Sequence, residues 1–226
     1  MTIRIGVPSK GRLMEQTFDW FATRGVTMRR TGSEREYSGI VEGVDGVALV
    51  LLSAAEVPRE LAAGRLHLGV TGIDMIREKL ADWQDQVIQI APLGFGFADL
   101  ILAVPNVWID VETLDDLDAA AAAFRAVHGH RLRIATKYHR LVRDFMAANG
   151  VADYQLIDSQ GATEGTIRNG TAEAIADITS SGDTLRANHL KVLQDALILR
   201  SEAMLLRSRH ADTPDLADLL ARMGLA

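Results

Sequence analysis

The residues with the clearest capacity for chemistry lie in one short segment, residues 177–185. An acid is followed by hydroxyl side chains, one glycine and a second acid: Asp177, Thr179, Ser180, Ser181, Gly182, Asp183 and Thr184, before Leu185. Glycine lets backbone N–H groups converge, and hydroxyl groups and a helix N-terminus add donors, so the segment is typical of an anion site. Asp177 and Asp183 would then face ribose hydroxyls or a magnesium ion. The alternative is an ordinary strand-to-helix loop with a Ser or Thr cap.

A second candidate is a cationic turn near the N-terminus, where Lys10 and Arg12 flank Gly11. The turn follows an apolar strand pattern and precedes a helical one, so the two side chains can clamp a phosphate at the helix start. The alternative is an exposed turn with two solvated cations.

Composition limits the possible partners. The chain has 226 residues, 48% of them hydrophobic, and a formal charge of −6, so it can bury a core but has no global basic field for nucleic acid. It has no cysteine, which excludes disulfides, thiolate metal sites and a cysteine nucleophile. We predict no membrane segment, because no apolar stretch is long enough. We also predict a cytoplasmic location, because the first residues do not resemble a signal peptide.

Strand and helix patterns alternate along the chain. Short apolar runs at residues 3–7, 47–52 and 174–179 predict strands, and polar turns separate them from helical patterns. This alternation predicts an α/β fold whose turns gather at one edge of a sheet, where such folds bind ligands. Further polar turns after strands contain Thr71, Gly72, Asp74, Lys137 and Glu164.

Several familiar catalytic patterns are absent from the sequence. There is no GxSxG elbow, no HExxH helix and no Walker-A motif, so the sequence does not indicate a serine hydrolase, a zinc protease or a P-loop hydrolase. His128 and His130 have no third metal ligand nearby in the sequence.

Five segments together resemble the short-form catalytic subunit of ATP phosphoribosyltransferase, the enzyme that starts histidine biosynthesis. They are IGVPSKGRL at residues 5–13, LGVTGID at 68–74, LGFG at 93–96, IATKY at 134–138 and DITSSGDTL at 177–185. Each segment alone is modest evidence, but together they follow the family's order over nearly the whole chain.

The resemblance implies a two-lobed α/β fold of the periplasmic-binding-protein type (type II), with a ligand cleft between the lobes. We expect lobe I at residues 1–93, completed by a C-terminal helix within 208–226, and lobe II at residues 94–207. An apolar stripe from Leu216 to Met223 would belong to that helix, entered at Thr213. The implied partner is a histidyl-tRNA-synthetase-like regulatory subunit, in a hetero-oligomer built on homodimers.

The resemblance also implies a reaction. N1 of the adenine of ATP attacks C1 of the ribose of 5-phosphoribosyl 1-diphosphate, and pyrophosphate leaves, with magnesium bridging diphosphate oxygens and no direct protein ligand to the metal. The turn at residues 179–184 would hold the 5-phosphate, with Leu185 as a further substrate-binding residue, and Asp177 would lie near the ribose hydroxyls. Lys10 and Arg12, beside Gly11, would face a polyphosphate from the other lobe. Further substrate contacts are expected from Thr71, Gly72, Asp74, Lys137 and Glu164.

One segment departs from the family pattern. Family members commonly carry arginine ahead of an acidic-apolar-proline triplet, where this chain has serine and two alanines at residues 53–55 before Glu56. A cation that would help to neutralise pyrophosphate is therefore missing. Either the regulatory partner orders the site, or a nearby arginine substitutes: Arg29, Arg30 or Arg35.

Two other functions fit parts of the sequence. A purine or pyrimidine phosphoribosyltransferase uses a similar strand-turn-helix loop, but it would carry an acidic doublet, and here Ile178 follows Asp177. A non-catalytic two-lobed binding module has the same architecture without the chemistry.

Overall fold

The computed structural model describes residues 2–31, 38–212 and 216–225. The chain divides into two compact units, each with its own sheet. Unit 1 comprises Met1–Phe97 and Glu202–Ala226, and unit 2 comprises Ala98–Ser201. The predicted mixture of helices and strands in one α/β chain is confirmed.

The elements alternate along much of the chain. In chain order the strands are β1 Ile3–Pro8, β2 Thr27–Arg30, β3 Ser38–Glu42, β4 Val47–Leu52, β5 Leu68–Gly72, β6 Val87–Pro92, β7 Ala98–Pro105, β8 Leu132–Thr136, β9 Tyr154–Asp158, β10 Ala174–Thr179, β11 Leu190–Ser201 and β12 Ala203–Ser208. The helices are α1 Gly11–Ala22, α2 Val57–Ala62, α3 Ile73–Lys79, α4 Trp83–Gln86, α5 Leu114–His128, α6 His139–Ala148, α7 Gly165–Arg168, α8 Asp183–Ala187 and α9 Ala217–Arg222.

The sheet of unit 1 has the order β2-β3-β4-β1-β5-β12-β6. Strand β1 pairs in parallel with β4 on one side and β5 on the other, so the turns after these strands leave from the same edge. Ile5 and Val7 on one face of β1, and Gly6 and Pro8 on the other, are buried, as expected for a central strand covered on both faces. Residues 26–46, which lack clear periodicity, include the antiparallel pair of β2 and β3.

The sheet of unit 2 has the order β11-β7-β10-β8-β9. Strands β8, β9 and β10 are parallel to their neighbours within this group, whereas β7 runs antiparallel to β10 and β11. The turns that follow β8, β9 and β10 therefore lie at one edge of the sheet.

The crossings between the units lie some residues away from their predicted positions. The first comes after Phe97 rather than near Gly94, because Leu93 packs in the core of unit 1 and β7 begins only at Ala98. The return comes after Ser201 rather than near residue 207, because β12 pairs antiparallel with β5 and β6 in the sheet of unit 1.

Helix α9 belongs to unit 1. Leu216, Leu219 and Met223 pack in the same buried cluster as β1 and β4. Thr213, the predicted helix start, lies outside the described residues. None of the helices in the described ranges is long and apolar enough to cross a membrane.

Gly6 lies in the middle of β1, and a Cβ atom there would be 2.3 Å from Cδ1 of Leu66. Leu66 is buried, so its side chain has little room to move. We expect Gly6→Ala to lower the free energy of unfolding by about 1–3 kcal/mol, because the core must shift to accept the methyl group. Urea denaturation of the variant and the unmodified chain measures the difference.

The same substitution at Gly165 is the control, because nothing lies within 4 Å of a Cβ added there, and alanine favours helix α7. Gly6→Ala should also cost less in a Leu66→Ala background, where the obstructing side chain is gone. Equal losses in both backgrounds would contradict the steric explanation.

Candidate functional site

A cavity of about 270 Å³ in unit 2 collects most of the predicted substrate-binding side chains. It lies where β8, β9 and β10 give way to their turns. The predicted residues that line it are Lys137, Glu164, Asp177, Thr179, Ser180, Ser181, Asp183, Thr184 and Leu185, with Ile175 and Ile178 beside them. Three turns that are distant in sequence therefore contribute to one cavity.

The turn between β10 and α8 is held by its own hydrogen bonds and leaves backbone donors available. Gly182 adopts a left-handed φ of 73°, and its N–H donates to Thr179 Oγ1 at 3.0 Å. Among the described residues, no acceptor is bonded to the backbone N–H of Ser181, Thr184 or Leu185. These three groups can donate to an anion in the cavity.

Arg186 is the one residue of this turn that sequence reasoning missed. Its guanidinium pairs with the Asp183 carboxylate, and the Ser181 hydroxyl donates to the same carboxylate at 2.6 Å. The Ser181 hydrogen bond, followed by the hydrogen bond and charge of Arg186, lowers the pKa of Asp183 below its ordinary value. The available signal was the i, i+3 spacing of an acid and a base on a helix. Asp183 is thus engaged within the turn.

An ion pair crosses the cavity wall between two neighbouring strands. Because β8 and β10 are parallel with Thr136 opposite Ala176, the residues that follow meet at the same edge. Lys137 Nζ lies 3.2 Å from Asp177 Oδ1, with the side chains 31% and 16% exposed. The N–H of Ile178 donates to the same oxygen at 2.8 Å. Partial burial weakens screening by water, so the attraction between Lys137 and Asp177 is stronger than that of a fully exposed ion pair.

Glu164 comes from the third turn, immediately before α7. The Thr166 hydroxyl donates to the Thr163 carbonyl at 2.6 Å, and the Ser159 hydroxyl donates to Thr163 Oγ1 at 3.3 Å, which fixes this turn. The cavity therefore combines acceptors on Glu164 and Asp177 with backbone donors, a set that suits a ligand with both hydroxyl and phosphate groups.

Unit 1 contains a second, larger cavity of about 730 Å³ at the ends of β1 and β4. The two strands continue their pairing into the turn, where the Ser9 N–H donates to the Leu52 carbonyl at 2.7 Å. The cavity is lined by Ser9, Lys10, Gly11, Met14, Arg30, Leu51, Leu52, Ser53 and Glu56. Lys10 is exposed at the N-cap of α1, and Arg12 is exposed in the first turn but is not a lining residue.

In the segment that lacks the expected arginine, residues 53–55, the Glu56 side chain bonds back to the backbone of Ser53. The Ser53 N–H donates to Glu56 Oε2 at 2.9 Å, and hydrogen bonds from Ser53 lower the pKa of the Glu56 carboxyl. Of the arginines considered as substitutes, Arg30 lines the unit 1 cavity. Arg29 is 2.9 Å from Glu42 in an exposed ion pair, and Arg35 lies outside the described residues.

The predicted substrate contacts at the end of β5, Thr71, Gly72 and Asp74, lie outside the two cavities. The Thr71 hydroxyl is fully buried and donates to the Ala54 carbonyl at 2.8 Å. Gly72 is the N-cap of α3, and Asp74 is buried in that helix. These three residues line neither of the two cavities, so the hydroxyl of Thr71 positions the segment around Ala54.

In each unit, polar turns after parallel strands line a cavity, which is the place where α/β proteins commonly bind small molecules. The fold is shared by solved structures, two of which are compared with this chain. An ATP phosphoribosyl transferase (HisG:HisZ) complex from Thermotoga maritima matches with a TM-score of 0.75 at 21% identity, over 99% of this chain and 95% of that chain. A histidine kinase sensor domain with similarity to periplasmic binding proteins matches with a TM-score of 0.55 at 14% identity, over 98% of this chain and 86% of that chain. The predicted periplasmic-binding-protein-like fold class is confirmed.

Sequence comparison gives the family. The model of the HisG family, ATP phosphoribosyltransferase, matches residues 53–224. An ATP phosphoribosyltransferase of Cereibacter sphaeroides is 75% identical over 224 residues, which cover 99% of this chain and 95% of that protein. Another, from Rhodopseudomonas palustris strain BisB18, is 53% identical over 92% of this chain and 64% of that protein. The chain belongs to the ATP phosphoribosyltransferase family.

The low pKa of Asp183 gives a test of the turn. We expect Ser181→Ala and Arg186→Met each to raise the pKa of the Asp183 carboxyl, because each removes a cause of its low value. Since the pKa is depressed in the folded chain, these contacts stabilise the turn fully above the unfolded pKa. Their contribution is lost as the pH falls through the lower folded pKa. An NMR titration of the carboxyl carbon measures the shift.

Arg168→Met is the matched control, because it removes an exposed arginine of unit 2 that does not line the cavity. It should leave the titration of Asp183 unchanged. A Ser181→Ala variant with the same Asp183 pKa as the unmodified chain would show that the hydrogen bond does not form in solution.

Proposed function

We propose that this chain transfers the 5-phosphoribosyl group from 5-phosphoribosyl 1-diphosphate to N1 of the adenine of ATP and releases pyrophosphate, the first step of L-histidine biosynthesis. Membership of the ATP phosphoribosyltransferase family supports the reaction. The observation that carries the assignment of residues is the unit 2 cavity, where the Lys137–Asp177 pair lies beside a turn with available backbone donors.

The reaction sets clear requirements for the protein. A bond forms between adenine N1 and ribose C1, and the bond between C1 and the diphosphate oxygen breaks. N1 supplies its lone pair and pyrophosphate leaves with the electron pair of the broken bond, so no proton has to be removed before the attack. Positive charge develops on the ribose while negative charge grows on the leaving group. The protein must therefore align two anionic substrates and stabilise both charges.

The unit 2 cavity is the proposed site for the phosphoribosyl group. Residues 179–185 would hold the 5-phosphate through backbone donors and hydroxyl groups. Asp177 would accept hydrogen bonds from the ribose hydroxyls, with its negative charge near the developing positive charge. Lys137 keeps the Asp177 carboxylate in position through the contact at 3.2 Å. Glu164 is a second acceptor in the same cavity.

We propose that magnesium binds to the diphosphate of the substrate. Among the described residues, no three His, Asp or Glu side chains are grouped so as to hold a metal ion. Mg²⁺ commonly keeps several waters and binds substrate phosphates with only one or two carboxylates. We expect no direct bond from the protein to the metal, and Asp177 and Glu164, which share the cavity, would face the hydrated ion as nearby carboxylates. Bound to the diphosphate, magnesium would supply positive charge against the leaving group.

The unit 1 cavity is the proposed site for a polyphosphate. Lys10 and Arg30 line it, Gly11 begins helix α1 beside it, and Arg12 adds charge in the first turn of that helix. Lys10 also lies at the positive end of a helix of 12 residues, which favours an anion. Arg30 is the proposed replacement for the arginine absent at residues 53–55.

The proposed partner is a histidyl-tRNA-synthetase-like regulatory subunit, in a hetero-oligomer built on homodimers in the cytoplasm. The fold match to a HisG:HisZ complex supports this partner, because this chain covers 95% of the matched chain. The Cereibacter sphaeroides relative, covered over 95% of its length, supports the short form.

The turn around Gly182, which lines the unit 2 cavity through its neighbours, can be tested by an activity assay. The chain is mixed with ATP, the phosphoribosyl donor, magnesium and pyrophosphatase, with and without the regulatory subunit, and the N1-ribosylated nucleotide is identified by mass. We expect product, and we expect Gly182→Ala to lower kcat/KM for the donor roughly tenfold or more, because it strains the turn that holds the phosphate.

Gly170→Ala is the matched control, since Gly170 also has a positive φ in unit 2 but lies outside the turn whose residues line the cavity. Both variants should lose similar stability, and only Gly182→Ala should lose activity. Equal activities of the two variants would show that the turn around Gly182 is not part of the active site. No product under either condition, together with binding of the substrates, would instead favour a binding module.

A second prediction separates the arginines of β2. Arg30→Ala should lower kcat roughly tenfold or more, because it removes a charge that stabilises the leaving group. Arg29→Ala should have little effect, because Arg29 pairs with Glu42 on the exposed edge of the sheet. Steady-state assays with the partner present measure both. Equal and small effects would exclude Arg30 as the substitute cation.

A further inference from the structure

A second ion pair joins the two strands that carry the candidate site of unit 2, at their opposite end. Arg133 lies on β8, and Glu173 immediately precedes β10. The Arg133 guanidinium donates to the Glu173 carboxylate, with Nε 3.1 Å from Oε2, and the side chains are 30% and 14% exposed. Burial alone would raise the pKa of Glu173, but the hydrogen bonds and charge of Arg133 outweigh it and hold that pKa below its ordinary value. Both partners are therefore charged at neutral pH.

Arg133 and Glu173 are also joined through the backbone. The Glu173 N–H donates to the Arg133 carbonyl at 2.9 Å, and the Arg133 N–H donates to Glu173 Oε2 at 2.8 Å. The Glu173 carboxylate therefore binds both the backbone and the side chain of the residue directly opposite it. A shift of one residue would bring Ala172 or Ala174 opposite Arg133, and alanine can replace none of the bonds that the carboxylate makes.

The residues between the two ends of this strand pair give little preference for one register. They are buried on both faces of the sheet, and half of them are alanine: Ile134, Ala135 and Thr136 of β8, opposite Ala174, Ile175 and Ala176 of β10. An alternation of buried and exposed side chains normally penalises a shifted register, but strands buried on both faces have no such alternation. The polar pairs at the ends therefore distinguish the observed register from its neighbours.

The Arg133–Glu173 pair lies in line with the ion pair at the cavity. Lys137 follows Arg133 by four residues, and Asp177 follows Glu173 by four residues. Because side chains alternate between the faces of a strand, an even separation places both pairs on one face. Ala135 and Ile175 lie opposite each other between the pairs and belong to one buried cluster.

We propose that Arg133 and Glu173 are positioning residues, whose pair fixes the register of β8 against β10 and so holds Lys137 and Asp177 at the unit 2 cavity. Four residues of strand span about 13 Å, so the pair acts through the strands rather than on a ligand. Its main effect is on register, because a partly buried ion pair adds little net stability. The consequence for turnover rests on the function proposed above.

The role is tested first by steady-state assays with the regulatory subunit present. Arg133→Met should lower kcat/KM for the phosphoribosyl donor roughly three- to tenfold, because Asp177 and the turn after it lose their fixed position. The KM for ATP should not change. Arg133→Lys keeps a cation opposite Glu173 and should recover most of the loss. Arg125→Met is the matched control, since it breaks the ion pair with Asp153 elsewhere in unit 2 and should leave kcat/KM unchanged. Circular dichroism checks that each variant is folded.

A double-mutant cycle tests whether Arg133 acts through Lys137. In a Lys137→Met background, Arg133→Met should lower kcat/KM for the donor by less than about twofold, because the contact that it positions is already lost. A loss that persists in full in this background would overturn the proposal.

A spectroscopic measurement needs no turnover. The NMR signals of the Asp177 carboxyl carbon and the Ile178 amide, which are joined by a hydrogen bond of 2.8 Å, should shift in Arg133→Met and not in Arg125→Met. An inactive unmodified chain with these shifts would reject the proposed reaction and keep the positioning role. An active chain in which neither the signals nor kcat/KM responds to Arg133→Met would reject the positioning role and keep the reaction.

Discussion

The parallel pairing of β10 with β8 is the constraint on which the candidate site depends. It sets Ala176 opposite Thr136, so that Asp177 and Lys137 leave the sheet together and meet at 3.2 Å. A one-residue shift in this register would turn Asp177 to the other face of the sheet and break the ion pair. The turn that begins at Thr179 starts from the same strand, so its position relative to the ion pair is set by the same ladder of hydrogen bonds.

In an acidic chain that binds anions, the carboxylates near the site must be paired with donors or cations, because free carboxylates would repel the ligand. In unit 2 the Asp183 carboxylate is held by Arg186 and Ser181, and that of Asp177 by Lys137. Hydrogen bonding and ion pairing reduce the repulsion that these acids would exert on a phosphate, and the backbone donors of the turn remain available. A net charge of −6 is therefore compatible with a local anion site.

The features that could be predicted from the sequence are those that neighbouring residues determine. The strands around Val7 and Ile175 and the polar turn at Gly182 follow from periodicity and turn chemistry in the sequence. The position of β12 did not, because its pairing with β5 and β6 is a long-range contact that no short window contains. The hydrogen bond from the Thr71 hydroxyl to the Ala54 carbonyl could not be predicted either, because it joins residues 17 positions apart and forms in the buried interior. Arg186 was missed because an exposed helix arginine usually has no special role.

The fold itself does not decide between binding and catalysis, because a sensor domain shares it at 14% identity. The difference lies in what the site stabilises. The turn around Gly182 suits a phosphate equally well before and during the reaction, so it contributes mainly to binding. Charge that matters more as pyrophosphate departs must come from elsewhere, and the arginine expected at residues 53–55 is absent. Because Glu56 closes that segment without a cation, the catalytic proposal depends on the positive charge of magnesium on the diphosphate and on that of Lys10 and Arg30, both of which line the unit 1 cavity.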